Sequence, residues 1–147
     1  MDGDREMRRG WVCVLAATLW LLLDVASSTA AERVALVIGN SAYQNVVPLK
    51  NPRNDGEAMA AKLEALGFEV VRGFDLDAPA FRDSVRAFMQ KLEGADTALF
   101  FYAGHGLQVN GINYLAPTDS SLSDESDLEF EALRLEFILG PMERKAK

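Results

Sequence analysis

The sequence predicts an α/β fold of the three-layer kind, a mostly parallel sheet with helices on both faces. Three observations carry that reading. Short, β-rich apolar runs recur at RVALVIG, FEVVRGF and TALFFYA. Stretches with apolar residues at helical spacing separate them. Each helical stretch is bounded by a capping residue, a proline in its first turn and a glycine at its stop. Strands alternating with helices pair in parallel and leave both sheet faces to be covered. Right-handed crossovers then distribute the helices over the two faces.

Arg33–Gly39 is the first strand, apolar at nearly every position, as a strand buried on both faces must be. The polar loop NSAYQNVVPLKN follows it. Asn51 is the expected cap of the first helix, with Pro52 in the first turn, where a missing N–H costs nothing. Met59, Leu63 and Leu66 recur at i, i+4 and i+7 and mark an apolar face, and Gly67 stops the helix. Phe68–Phe74 is the second strand. Asp77 caps the second helix and Pro79 lies in its first turn. Phe81, Val85, Phe88, Met89 and Leu92 form the strongest helical pattern in the chain, which Gly94 ends. Thr97–Ala103 is the third strand.

Beyond it, LQVNGINYLAP reads as a β-hairpin about Asn110-Gly111, a preferred two-residue turn pair. The next stretch carries Asp119, Asp124, Glu125, Asp127, Glu129 and Glu131, and reads as a solvated surface connection rather than a metal site. From Leu135 to Lys145, the residues Leu135, Ile138, Leu139 and Met142 share a helical face. Gly140-Pro141 marks a kink or a break there.

A length of 147 residues suits one domain. The net charge of −7, from 22 acidic and 15 basic residues, argues against nucleic-acid binding, which leaves a basic footprint. Residues 1–30 read as a cleaved export signal: Arg8 and Arg9, an apolar run from Trp11 to Leu23, then small residues around Ser28 and Ala30. The run is shorter than the ~20 residues a membrane span needs. Export to a periplasmic or extracellular space is therefore expected, with no membrane span after cleavage. A start at Met7 would give a more regular signal, because MDGDRE is acidic. The domain is placed at 31–147. The chain's single cysteine, Cys13, falls in the signal and would be lost with it.

His105 is the only histidine. It follows the third strand directly, between Gly104 and Gly106. In parallel α/β sheets ligands bind at the carboxyl ends of strands, and an imidazole there suits acid–base chemistry near neutral pH. The two glycines are expected to let the loop turn tightly and a substrate approach closely. A phosphate-binding reading is disfavoured, since GNSAYQN after the first strand has one glycine and fits neither phosphate-loop pattern.

Four blocks, RVALVIGNSAY, LKNPRNDGEAMAAKLEALGFEV, FFYAGHG and NYLAPTD, resemble in order and position the caspase-like cysteine peptidases, in particular the prokaryotic orthocaspases and metacaspase-like proteins. The resemblance runs from about Arg33 to the end of the chain. It implies a histidine–cysteine dyad in which His105 helps to generate the thiolate and protonates the leaving amine. It implies that the Gly106 N–H donates to the oxyanion. It also places Asp55 in the primary specificity pocket, where a carboxylate pairs with a cation and selects cleavage after Arg or Lys. Asp55 reads equally well as a first-turn acid favoured by the helix dipole. Ala103 stands where metacaspases have a serine, and Ile112 and Leu135 stand roughly where some carry calcium-binding aspartates. No metal or cofactor is expected, and the partner is a peptide or protein substrate.

By the same resemblance the nucleophilic cysteine follows the histidine by about 50 residues, near residue 155. The chain is therefore expected to be the histidine-bearing part of a longer peptidase, inactive alone. The cysteine-bearing strand, or a partner chain, would pair beside Thr97–Ala103 and cover an apolar edge that is otherwise an aggregation liability. The alternative is a non-catalytic caspase-like interaction module.

Overall fold

In the computed structural model the sheet is built around β1 (Arg33–Gly39). β2 (Glu69–Phe74) pairs with it on one side and β3 (Thr97–Ala103) on the other, both in parallel. The structure describes residues 32–145. The expected export signal, residues 1–30 with Cys13, lies outside the described residues. No helix among the described residues is long and apolar enough to cross a membrane.

Central placement explains why β1 reads as an unbroken apolar run. Val34 through Ile38 are fully buried, because neighbours flank the strand and helices cover both faces. Side chains alternate between the faces. Val34, Leu36 and Ile38 pack with Phe81, Val85, Phe88 and Leu92, which belong to or follow α2 (Ala78–Lys91), and with Ile138. Ala35 and Val37 face α1 (Pro52–Ala65), with Ala60 and Leu63. The small residues on the second face bring α1 close. A Cβ on Gly39 would lie 2.4 Å from the Pro52 carbonyl oxygen, and one on Gly56 would lie 2.9 Å from the Phe74 ring. The start of α1 is thereby seated against the carboxyl end of β1.

Two helix details depart from the sequence pattern. Asn51 sits in the helical region of backbone space and makes no side-chain cap. Ser41 Oγ, from the loop after β1, accepts the Arg53 N–H at 3.0 Å and does that work from a distance. The buried stripe of α1 is Gly56, Ala60 and Leu63. Met59 flanks it, and Leu66, where the helix ends, is 51% exposed. Asp77 does cap α2, its Oδ1 accepting the Ala80 N–H at 2.9 Å.

A second, antiparallel sheet follows β3. β4 (Gly106–Val109) and β5 (Ile112–Leu115) form the hairpin, with positive φ at Asn110 (51°) and Gly111 (80°), as a type I′ turn requires. The acidic connection is more ordered than a solvated loop. It holds a short 3₁₀ turn, the single-turn α3 (Leu128–Glu131) and β6 (Leu133–Arg134), which pairs with β5. Glu131 accepts the Ser121 and Leu122 N–H groups and the Ser121 hydroxyl, so one acid organises the turn. These elements are too short to leave a periodic signal. α4 (Glu136–Lys145) runs through Pro141 without ending, and Ile138 anchors it in the α2-side core.

Among the described strands β3 pairs only with β1, so its other edge has no strand beside it. Leu99, Phe100, Phe101 and Tyr102 are half-buried, unlike their counterparts in β1. Two substitutions check the packing account. Phe88→Ala should cost about 3–5 kcal/mol in urea unfolding, and Asp77→Ala about 1 kcal/mol. Equal effects from the two would contradict the burial described here.

Candidate active site

The three parallel strands end level with one another: Gly39 is opposite Phe74 on one side and Ala103 on the other. The residues that follow these ends build the site. Asn40, fully buried, joins all of them. Its N–H donates to the Ala103 carbonyl at 2.9 Å, and its Nδ2 donates to the Ala116 carbonyl at 3.1 Å. Its Oδ1 accepts the Leu76 N–H at 3.0 Å. A buried amide with its donor and acceptor groups engaged holds loops far apart in sequence.

Asp75 fixes the loop after β1. It has a left-handed backbone (φ 52°), and its Oδ1 accepts the Ser41 and Ala42 N–H groups at 2.7 and 2.9 Å. Its Oδ2 accepts Arg53 Nη1 at 2.8 Å. Burial pushes this carboxyl up, but the bonds from Ser41, Arg53 and Ala42 outweigh it and hold the group below its ordinary value.

His105 is held on every side. Its N–H donates to the Tyr43 hydroxyl at 2.7 Å. Its carbonyl accepts the Tyr102 hydroxyl at 2.7 Å and the Ala116 N–H at 3.0 Å. The imidazole meets the Tyr43 ring edge-on, with centroids 4.5 Å apart. Nε2 lies 2.8 Å from the Val47 carbonyl oxygen. A carbonyl only accepts, so Nε2 carries the proton, and in the neutral ring Nδ1 is the basic nitrogen.

The flanking glycines have different jobs. A Cβ on Gly104 would lie 2.6 Å from both the Tyr43 and Tyr102 hydroxyls. The tyrosines packed against Gly104 leave no room for a side chain there, a requirement the sequence did not indicate. For Gly106 the hairpin register matters. Val109 and Ile112 close a two-residue turn and form a hydrogen-bonded pair, and such pairs alternate along the ladder. Gly106 opposite Leu115 is then a non-bonded pair, and its N–H points away from β5.

Asp55 lies exposed in the first turn of α1, at the same carboxyl end of the sheet. It lines a shallow groove between α1 and β3 with Ala58, Met59, Lys62 and Phe101. His105 is not part of that groove. The described residues include no group of three or more His, Cys, Asp or Glu that could hold a metal ion. Sequence reading missed Asn40, Tyr43, Asp75 and Tyr102. The clue was position alone: each lies in or just beyond a strand's carboxyl end.

Asp75 gives this region a pH dependence. Its carboxyl is depressed in the folded chain, so its contribution is present above the unfolded value of about 3.9 and is lost as pH falls through the folded value. Asp75→Asn should lower the urea midpoint at pH 7 and flatten its fall below about pH 4. An unchanged acid limb in the variant would contradict this.

A family model for the caspase domain matches residues 32–147. Human mucosa-associated lymphoid tissue lymphoma translocation protein 1 is 35% identical over 91 residues, 62% of this chain and 11% of that protein. Its mouse homolog is 34% identical over 91 residues, with the same coverage of 62% and 11%. The chain thus spans only about a tenth of the length of these relatives. A phosphoglucosamine mutase of Anoxybacillus flavithermus is 36% identical over 77 residues, 52% of this chain and 16% of that protein. Because the caspase-domain model takes in every described residue, parallel sheet and histidine loop alike, the chain belongs to the caspase-domain peptidase family.

Proposed function

We propose that this domain supplies the histidine half of a cysteine endopeptidase, of the orthocaspase and metacaspase type, that cleaves after Arg or Lys. One observation carries the reading: the Val47 carbonyl engages Nε2 of His105 and leaves Nδ1 as the basic nitrogen. An imidazole held by a backbone carbonyl has a set tautomer and orientation, as a general base needs. Nδ1 takes the thiol proton, the thiolate attacks the scissile carbonyl, and the same nitrogen returns the proton to the leaving amine. The outward Gly106 N–H supports a place for the oxyanion. Asp55, exposed at the same end of the sheet, is assigned the cationic side chain before the scissile bond.

The thiolate is assigned to a segment outside residues 32–147, which contain no cysteine. We place that segment beside β3, whose outer edge and half-buried apolar side chains would accept a further strand. The N-terminal signal pattern supports export of the protein to a periplasmic or extracellular site. The second reading is a caspase-like interaction module without catalysis.

The natural product carrying this domain, purified from its source, is the material to test. It should hydrolyse reporter peptides ending in Arg or Lys and spare those ending in Asp. His105→Ala should lower kcat/KM by about 10²–10⁴-fold, and Asp55→Asn should raise KM for the Arg reporter about tenfold. Full activity in the His105 variant, or preference for Asp, overturns the proposal. A natural product that cleaves no reporter but binds a protein partner establishes the module instead.

A further inference from the structure

We propose that Tyr43 is the positioning residue of His105: its hydroxyl ties the loop after β1 to the histidine and so keeps the Val47 carbonyl on Nε2. This deepens the reading of His105 as the catalytic histidine and rests on it.

The argument starts from the loop. Residues Ser41 to Leu49 close on themselves through the Leu49 N–H to the Ser41 carbonyl (3.0 Å) and the Tyr43 N–H to the same carbonyl (3.0 Å). Two contacts run from this loop to His105. One is inside: Tyr43 is 4% exposed, and its hydroxyl accepts the His105 N–H. The other is outside: Val47 is 76% exposed, and its carbonyl meets Nε2. An exposed hydrogen bond competes with water and contributes little by itself. The buried bond therefore sets the distance and the exposed bond follows it.

Tyr43 has the groups for this. One hydroxyl takes the His105 N–H and keeps its own proton for the Ala116 carbonyl (3.2 Å) or the Tyr102 hydroxyl (3.2 Å). Tyr102 in turn donates to the His105 carbonyl, so the backbone of one residue is gripped at both ends. Burial pushes both hydroxyls above their ordinary value, so they remain protonated and act as hydrogen-bonding groups. The Tyr43 ring also restrains the imidazole edge-on at 4.5 Å. The close fit of Gly104 under both hydroxyls is an independent sign that the pair's placement is specific.

His105 is the only histidine, so its ring nitrogens can be read without ambiguity by ¹⁵N NMR of the full labelled chain. In the neutral ring the parent should show protonated Nε2 and unprotonated Nδ1. Tyr43→Phe keeps the ring contact and loses the hydroxyl. It should lower the ratio of the Nε2–H to the Nδ1–H form about fivefold, the worth of one net hydrogen bond, with core amide signals unchanged. Gly104→Ala, which retains both tyrosines but puts a Cβ 2.6 Å from their hydroxyls and so displaces them, should produce the same signature. It also supplies the test if Tyr43→Phe does not fold. An unchanged ring-nitrogen spectrum in a folded Tyr43→Phe, or in Gly104→Ala, overturns the proposal. The spectrum reads position whether or not the chain hydrolyses anything. A failed peptidase assay would therefore sink the catalytic reading while leaving this measurement to stand or fall separately.

Discussion

Asn40 is the residue on which the site depends. It leaves a strand whose apolar residues are fully buried and enters the junction of three other segments: the end of β3, the start of the chain after β2, and the chain after β5. Its side chain has no access to water, so each of those bonds replaces one that an unfolded chain would make with solvent. Losing the amide would leave the Leu76 N–H without its acceptor, at roughly 1–3 kcal/mol for an unpaired group, and would take from the Ala116 carbonyl one donor of the three it has, the others being the Tyr43 and Tyr102 hydroxyls. Because Ala116 also donates its N–H to the His105 carbonyl, disorder at Asn40 would reach the histidine within one residue. Stability of the sheet end and geometry of the site are the same set of bonds.

Around that junction the division of labour is plain. β1 and the two covering layers provide rigidity through dispersion and apolar burial. The polar groups at the strand ends convert it into orientation. Asp75 and Arg53 draw the loop after β1 inward, and the same loop delivers Ser41 to the start of α1. One nine-residue loop therefore caps a helix, accepts a carboxylate's restraint and contacts the histidine twice. Glycine is used at Gly39, Gly56 and Gly104 for close approach rather than for unusual backbone angles.

The strands and main helices were legible because burial on a sheet imposes period two or an unbroken apolar run, and burial of one helix face imposes its own spacing. Asp77 was legible because its cap bonds a residue three positions away. Ser41 was not, because it caps a residue twelve positions on, and Asn51 stood where a local rule expects the cap. Tyr102 was read as one more apolar residue of TALFFYA, although its hydroxyl is what reaches His105. Asn40 bonds to a carbonyl 76 residues away, a relation no local pattern carries. His105 and Gly106 were singled out by resemblance, and they follow the carboxyl end of β3. The crowding of Gly104 was not legible, because the two tyrosine hydroxyls meet only once the chain has folded.

The central claim is that His105 serves a thiolate brought to the uncovered edge of β3. Covalent capture tests it most directly. The natural product should be treated with an electrophilic peptide ketone ending in Arg and the adduct located by mass spectrometry, with the His105→Ala form as control. The account predicts a single cysteine adduct in a segment that crosslinks to β3, strongly diminished in the control. An adduct on any other residue, equal labelling in the control, or no adduct at all would contradict it.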